Sequence, residues 1–281
     1  MRLTWGERTW VMGILNVTPD SFSGDGLATP DRGIDEVVAS AVEQAVAFVA
    51  AGAEILDVGA ESTRPRTAYG DRPPVDEATE AALAIPVVRA VAEAVGDRAL
   101  VSIDTSKGGV ARAALQAGAR IVNDVWAATR DPGTAVAAAE TDAHLVLMHN
   151  QEEGGYAGGV FETVVGWLRS AVEAAVERGV SGERIIVDPG IGFGKGTEEN
   201  LELLRRLAEL KDDLGGLPLL IGTSRKRFLG ELLDGVPPDD RVEATAATVA
   251  LAIAAGADIV RVHDVAHIAR TRRVADAIVR G

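Results

Sequence analysis

Eight short runs of aliphatic and β-branched residues recur along the chain, at residues 11–15, 55–58, 100–103, 121–122, 145–148, 185–187, 219–221 and 259–262. Longer segments of helical periodicity separate them. Runs this uniformly apolar read as parallel strands covered by helices, because a strand open to water on one face alternates instead. Eight such units are the number that closes a (β/α)8 TIM barrel, and the predicted fold is one such barrel occupying residues 1–281, with loops at the C-terminal rim. A doubly wound open sheet is the alternative, since local pattern does not show whether the first and last strands pair.

An internal echo supports the count. "AGAEILDV", "AGARIVNDV" and "AGADIVRVHDV" each carry an Ala-Gly-Ala step from a predicted helix end into a predicted strand. Glycine there supplies the left-handed stop that returns the chain to the sheet. No proline- or serine-rich linker divides the chain, and the patch around Pro237 reads as a loop before a late helix. The alanine-rich stretch 244–257 is too short to span a bilayer and is predicted to be a helix with a buried face.

Composition narrows the class of partner. Against 28 lysines and arginines stand 42 acidic residues, a net charge of −14 that repels nucleic acid and anionic membrane surfaces. There is no cysteine, so no disulfide and no thiolate metal site, and residues 1–10 lack a signal-peptide pattern; both point to the cytoplasm.

Polar groups gather at the strand ends: Asn16, Asp57, Asp104, Asn123, His149, Asp188, Ser224 and His263. In a parallel barrel these ends share one rim, where side chains from separate strands converge. A single Asp or Asn after a strand serves as well as a turn residue or helix cap, and one of Asp104, Thr105 and Ser106 could cap the helix starting near Lys107. Repetition around the rim is what favours a ligand site. Arg64, Arg225, Lys226 and Arg261 add cations near strand ends, suited to a phosphate or diphosphate, with Lys226 and Arg261 the stronger candidates and Arg227 read as solvated. The glycine-rich "DPGIGFGKGTEEN" matches neither the Walker nor the dinucleotide spacing. His263 and His267 are spaced as ligands on one helical turn, but no Glu follows the first as a zincin requires.

Taken in order, "GILNVTPDSFS", "GAESTRP", "SIDT", "IVNDV", "LMHN", "DPGIGFGK", "GTSRKRFLG" and "RVHDV" resemble the signature set of the dihydropteroate synthases, a pterin-binding barrel family, over nearly the whole chain. The resemblance implies a transferase of folate synthesis that joins 6-hydroxymethyl-7,8-dihydropterin diphosphate to p-aminobenzoate and releases diphosphate. It implies a pterin diphosphate site of Thr63, Asp104, Asn123, Asp188, Lys226, Arg261, Val262 and His263, with Asp188 on the aminopyrimidine edge and Lys226 on the carbonyl side. Asp104, Lys226 and Arg261 would be catalytic. Phe22, Thr63, Arg64, Pro65, Phe193 and Ser224 would border the aminobenzoate pocket, where sulfonamides would compete. Asn16 would hold Mg²⁺ beside the diphosphate. Loops 16–26 and 61–72 would close over the reacting groups, and the enzyme would be a homodimer built on outer helices.

Two features depart from the family pattern. Where members commonly read Ser-Asp-Gly-Gly, this chain has Ser23-Gly24-Asp25-Gly26, and "GAEST" stands for the commoner Gly-Gly-Glu-Ser-Thr. The displaced acid keeps a pterin-binding paralogue without synthase activity open, alongside a pterin-dependent methyltransferase that shares the barrel and, outside the family, a general phosphate-binding barrel.

Overall fold

The computed structural model describes residues 1–18, 27, 32–61, 75–151 and 155–281. All eight predicted strands are present: β1 (Trp10–Asn16), β2 (Ile55–Gly59), β3 (Leu100–Asp104), β4 (Ile121–Asp124), β5 (His144–Met148), β6 (Ile185–Asp188), β7 (Leu220–Ile221) and β8 (Ile259–Val262). Several run one or two residues further than the apolar pattern, because the polar residues at their ends still take part in the ladder.

The strands pair in the order β6-β5-β4-β3-β2-β1-β8-β7, every pair parallel. β1 therefore lies between β2 and β8, which excludes the open doubly wound order. A lone parallel bridge between Val187 and Leu219 joins the two ends of this series and closes the barrel. The closure is narrow for a local reason: the Val187 N–H donates to the Pro218 carbonyl at 2.9 Å, but Pro218, the residue that faces β6, has no N–H with which to extend the ladder.

Ten α-helices are described outside the barrel: α1 (Ile34–Ala51), α2 (Glu77–Val95), α3 (Gly108–Ala117), α4 (Gly133–Thr141), α5 (Val160–Glu177), α6 (Thr197–Arg205), α7 (Leu207–Asp213), α8 (Arg227–Leu232), α9 (Val242–Ala254) and α10 (Val265–Val279). The three Ala-Gly-Ala steps end α1, α3 and α9 as expected, with Gly52, Gly118 and Gly256 at φ 109, 121 and 93°. The predicted helix at 244–257 forms slightly earlier, as α9, and buries Thr245, Val249, Ala252 and Ile253.

The expected local cap of α3 is replaced by a tertiary one. Lys107 occupies the N-cap without a capping side-chain bond, its ammonium being paired with Glu61 and Glu80. Asp131, from the loop after β4, instead accepts the Gly108 N–H at 2.6 Å and the Gly133 N–H at 2.8 Å. One carboxylate thus serves the starts of α3 and α4, where free N–H groups favour negative charge.

Strand alternation sorts the side chains into two cores. Val11, Leu56, Val58, Val101, Leu145 and Val187 face the helices. Trp10, Met12, Ile55, Ile121, Val146, Ile186, Leu220 and Ile259 fill the barrel interior as an apolar plug. Two residues further along the same inward faces come Asp57, Asn123, Asp188 and Arg261, which places the polar layer on top of the plug at the C-terminal rim.

Candidate active site

Arg261 on β8 is the centre of this layer. Its Nε lies 2.6 Å from Asp57 Oδ2 and its Nη2 2.8 Å from Asp104 Oδ2, so one guanidinium bridges β2 and β3 across the barrel. Asn123 on β4 donates from Nδ2 to the same Asp57 oxygen at 2.9 Å. Two buried carboxylates share one cation, and burial followed by crowding with Asp57 pushes Asp104 up to about 8 despite Arg261. Asp57 Oδ1 and Asp104 Oδ1 are buried without a hydrogen-bond partner. Buried acceptors of this kind are costly, and they suit a ligand that brings N–H donors or positive charge.

The other half of the rim is built from the turns after β6 and β7. Asp188 ends β6, is 6 % exposed, and accepts the Gly190 N–H at 2.7 Å through Oδ1. Burial raises it to about 6, against Gly190, Lys226, Lys195 and Arg261, which all favour its charged form. Lys226 stands at the start of α8 with Nζ 3.8 Å from the centre of the Phe193 ring, a cation–π contact. Ser224 Oγ accepts the His263 N–H at 3.1 Å and lies 3.0 Å from His263 Nδ1, fixing the imidazole at the end of β8 beside the buried backbone of Val262.

The glycines of "DPGIGFG" are explained by close backbone approach. Gly190, at φ 68°, would place a Cβ 1.9 Å from the His149 carbonyl oxygen, and Gly194, at φ 61°, one 2.1 Å from that of Gln151. Only glycine lets this turn lie so tightly on the chain leaving β5.

Asn16, Asp104, Asn123, Asp188, Phe193, Ser224, Lys226, Arg261, Val262 and His263 are thus placed at or beside the rim. Phe22, Thr63, Arg64 and Pro65, with Ser23 to Gly26, lie outside the described residues. Arg225 forms a two-point ion pair with Asp264, at 2.7 and 3.0 Å. Arg227 is exposed and pairs with Glu231, and His267 is exposed on α10.

Sequence reasoning placed Asp57 on the rim without assigning it a specific part, and it gave no role to Lys195. Strand alternation could have assigned Asp57 to the interior, since it shares the inward face of β2 with Ile55; nothing local to Lys195 marks its three acceptors.

Asn16 ends β1 and its side chain has no hydrogen-bond partner among the described residues. No group of three or more His, Cys, Asp or Glu positioned to hold a metal is found among the described residues. The Asn16 amide oxygen is a hard donor of the kind that suits an ion carried mainly by ligand oxygens and water, as Mg²⁺ commonly is beside phosphates.

A closed parallel barrel with an apolar plug, and buried carboxylates and cations on its C-terminal rim, has the architecture of a (β/α)8-barrel enzyme. The chain belongs to the family of pterin binding enzymes, which it matches over residues 12–263. It is 44 % identical over 276 residues to the dihydropteroate synthase of Bacillus subtilis strain 168, covering 98 % of this chain and 90 % of that one. The crystal structure of dihydropteroate synthase from Clostridium difficile in the presence of pteroic acid superposes with a TM-score of 0.90 at 42 % identity, covering 100 % of both chains. That of Xanthomonas albilineans dihydropteroate synthase with 4-aminobenzoic acid gives 0.85 at 38 % identity, covering 97 % of this chain and 94 % of that one.

Proposed function

We infer that this chain is a dihydropteroate synthase: it condenses 6-hydroxymethyl-7,8-dihydropterin diphosphate with p-aminobenzoate to give dihydropteroate and diphosphate. The observation that carries the assignment is the Asp57–Arg261–Asp104 bridge, with its two unpartnered carboxylate oxygens, at the rim of a barrel similar over its full length to known synthases.

A pterin presents a guanidine-like edge, and Asp188, Asn123 and Asp57 supply acceptors and donors suited to it. The C–O bond between the pterin methylene and the diphosphate breaks with its electron pair leaving on oxygen. Arg261, Lys226 and His263 are the groups to meet that charge. The methylene turns strongly positive, and Asp104 stabilises it with a preorganised field in a water-poor site. The aryl amine then forms the new C–N bond and loses a proton to solvent, so no strong base is required. Positioning of the two rings carries much of the remaining acceleration.

For Mg²⁺, Asn16 is the residue that would hold the ion, which when bound neutralises diphosphate charge. Phe22, Thr63, Arg64, Pro65, Phe193 and Ser224 form the proposed aminobenzoate pocket, where a sulfonamide would compete. A homodimer is supported by Leu251, Val274 and Ile278, exposed on α9 and α10, which pack against each other. The absence of cysteine supports a cytoplasmic location; among the described residues no helix is long and apolar enough to cross a membrane.

The test is diphosphate release by the purified protein with the dihydropterin diphosphate and Mg²⁺, with and without p-aminobenzoate. Release that depends on p-aminobenzoate and yields dihydropteroate is expected. Tight pterin binding without product would overturn the assignment.

A further inference from the structure

Lys195, in the turn after β6, is half-buried, its ammonium enclosed by three acceptors, and it has no part in the chemistry above. Its Nζ lies 2.9 Å from the Gly190 carbonyl oxygen, 3.0 Å from that of Phe193 and 3.0 Å from His149 Nδ1. An ammonium has three N–H donors and no acceptor, so these contacts use all three, and His149, accepting at Nδ1, carries its ring proton on Nε2. The imidazole is itself fixed, edge-to-face with Trp167 at 5.1 Å.

The two halves of the site depend on this cation unequally. Asp188 is held by the sheet, through its pairing with Met148 on β5. Phe193 belongs to no strand. Its backbone is held by its own N–H to the Gly190 carbonyl, at 3.0 Å, and by Lys195 on its carbonyl.

We propose that Lys195 is a positioning residue for the aminobenzoate half of the site: its ammonium ties the 190–193 turn to the end of β5 and so sets where the Phe193 ring stands beside Lys226. This rests on the synthase reading and on Phe193 bordering the aminobenzoate pocket.

The charged form is required, because a neutral amine offers two N–H groups to three acceptors. Burial draws Lys195 down to about 7, against the attraction of Asp188 on β6 and Glu199 on α6. Of the other groups facing this turn, His149 is held neutral, pushed down to about 3 by burial and by Lys195, and burial raises Tyr156 to about 12. Neither changes charge between about pH 6 and pH 9. Lys226 faces Asp188 from the other side.

The experiment is steady-state kinetics of the full chain and of Lys195→Met, varying each substrate in turn, with circular dichroism as the check on folding. The expected result is a rise of about tenfold or more in KM for p-aminobenzoate, with kcat and KM for the pterin diphosphate within about threefold. An unchanged KM for p-aminobenzoate, or equal losses for both substrates, would overturn the inference. Should Lys195→Met not fold, Lys195→Gln is read the same way: a raised KM for p-aminobenzoate with KM for the pterin diphosphate unchanged is expected, and an unchanged KM for p-aminobenzoate or equal losses for both substrates overturns the proposal. A folded wild-type protein that forms no dihydropteroate overturns the synthase reading and this inference together; an active one with either negative result overturns this inference alone.

Discussion

Replacing Asp104 by asparagine is expected to make the protein more stable and nearly inactive, a pairing that follows from how its charge is held. Asp104 and Asp57 share the Arg261 guanidinium, and Asp104 Oδ1 is buried without a partner. The folded protein therefore holds the Asp104 proton more tightly than the unfolded chain, up to about pH 8. Wherever the native state binds more protons, stability falls as pH rises, so this residue costs progressively more from about pH 4 to pH 8 and a constant amount above that. At about 1.4 kcal/mol for each tenfold change in proton affinity, the full cost has an upper limit of roughly 6 kcal/mol. The shared guanidinium and the buried amide that replaces the acid reduce the expected gain to about 1 to 3 kcal/mol. That corresponds to a rise in Tm of roughly 2 to 5 °C at about pH 8.5, with the difference shrinking as pH falls towards about 5, where the wild-type acid is itself neutral. The amide oxygen can still accept from Arg261, so the geometry survives, but at about pH 8.5, where the wild-type acid is ionised, the field at the pterin methylene is lost and kcat falls about 10²- to 10³-fold. Thermal denaturation across the pH range and single-turnover assays read the two effects. A variant less stable than wild type at about pH 8.5, or a stability difference independent of pH, would refute the reasoning.

Two further substitutions probe the frame around the site. Asp131→Ala removes the acceptor that caps both α3 and α4 and is expected to cost about 2 to 3 kcal/mol in urea denaturation, about twice an ordinary cap; a loss under about 0.5 kcal/mol would show that solvent serves both helix starts equally well. Gly190→Ala and Gly192→Ala should separate stability from function. The first drives a Cβ to 1.9 Å from a backbone oxygen and should lower Tm sharply, whereas the second meets the Lys226 stem at 2.8 Å and should fold while raising KM for the pterin diphosphate. Equal Tm values for the two variants would contradict this.

The barrel was largely legible in the sequence because burial between plug and helices demands apolar runs, and the Ala-Gly-Ala steps mark helix ends by a backbone requirement local to one residue. Strand existence followed from the same pattern at all eight positions. Which rim groups would meet was less legible. The strand-end residues Asp104, Asn123 and Asp188 were identifiable, since a parallel barrel brings its strand ends together whatever the loops do. Arg225 and Lys226, adjacent in sequence, are divided only by the fold, which turns Arg225 to Asp264 and Lys226 to Phe193.

The sequence by itself therefore determined the number and direction of the strands, the single rim and the family, because each depends on periodicity or on residues close in the chain. Tertiary structure alone decided that β1 pairs with β8, that Asp131 caps two helices from a distance, that Asp57 and Asp104 compete for one guanidinium, and that Lys195 meets three acceptors. Those are contacts between residues far apart in sequence, fixed only once closure of the barrel has set the distances between strands.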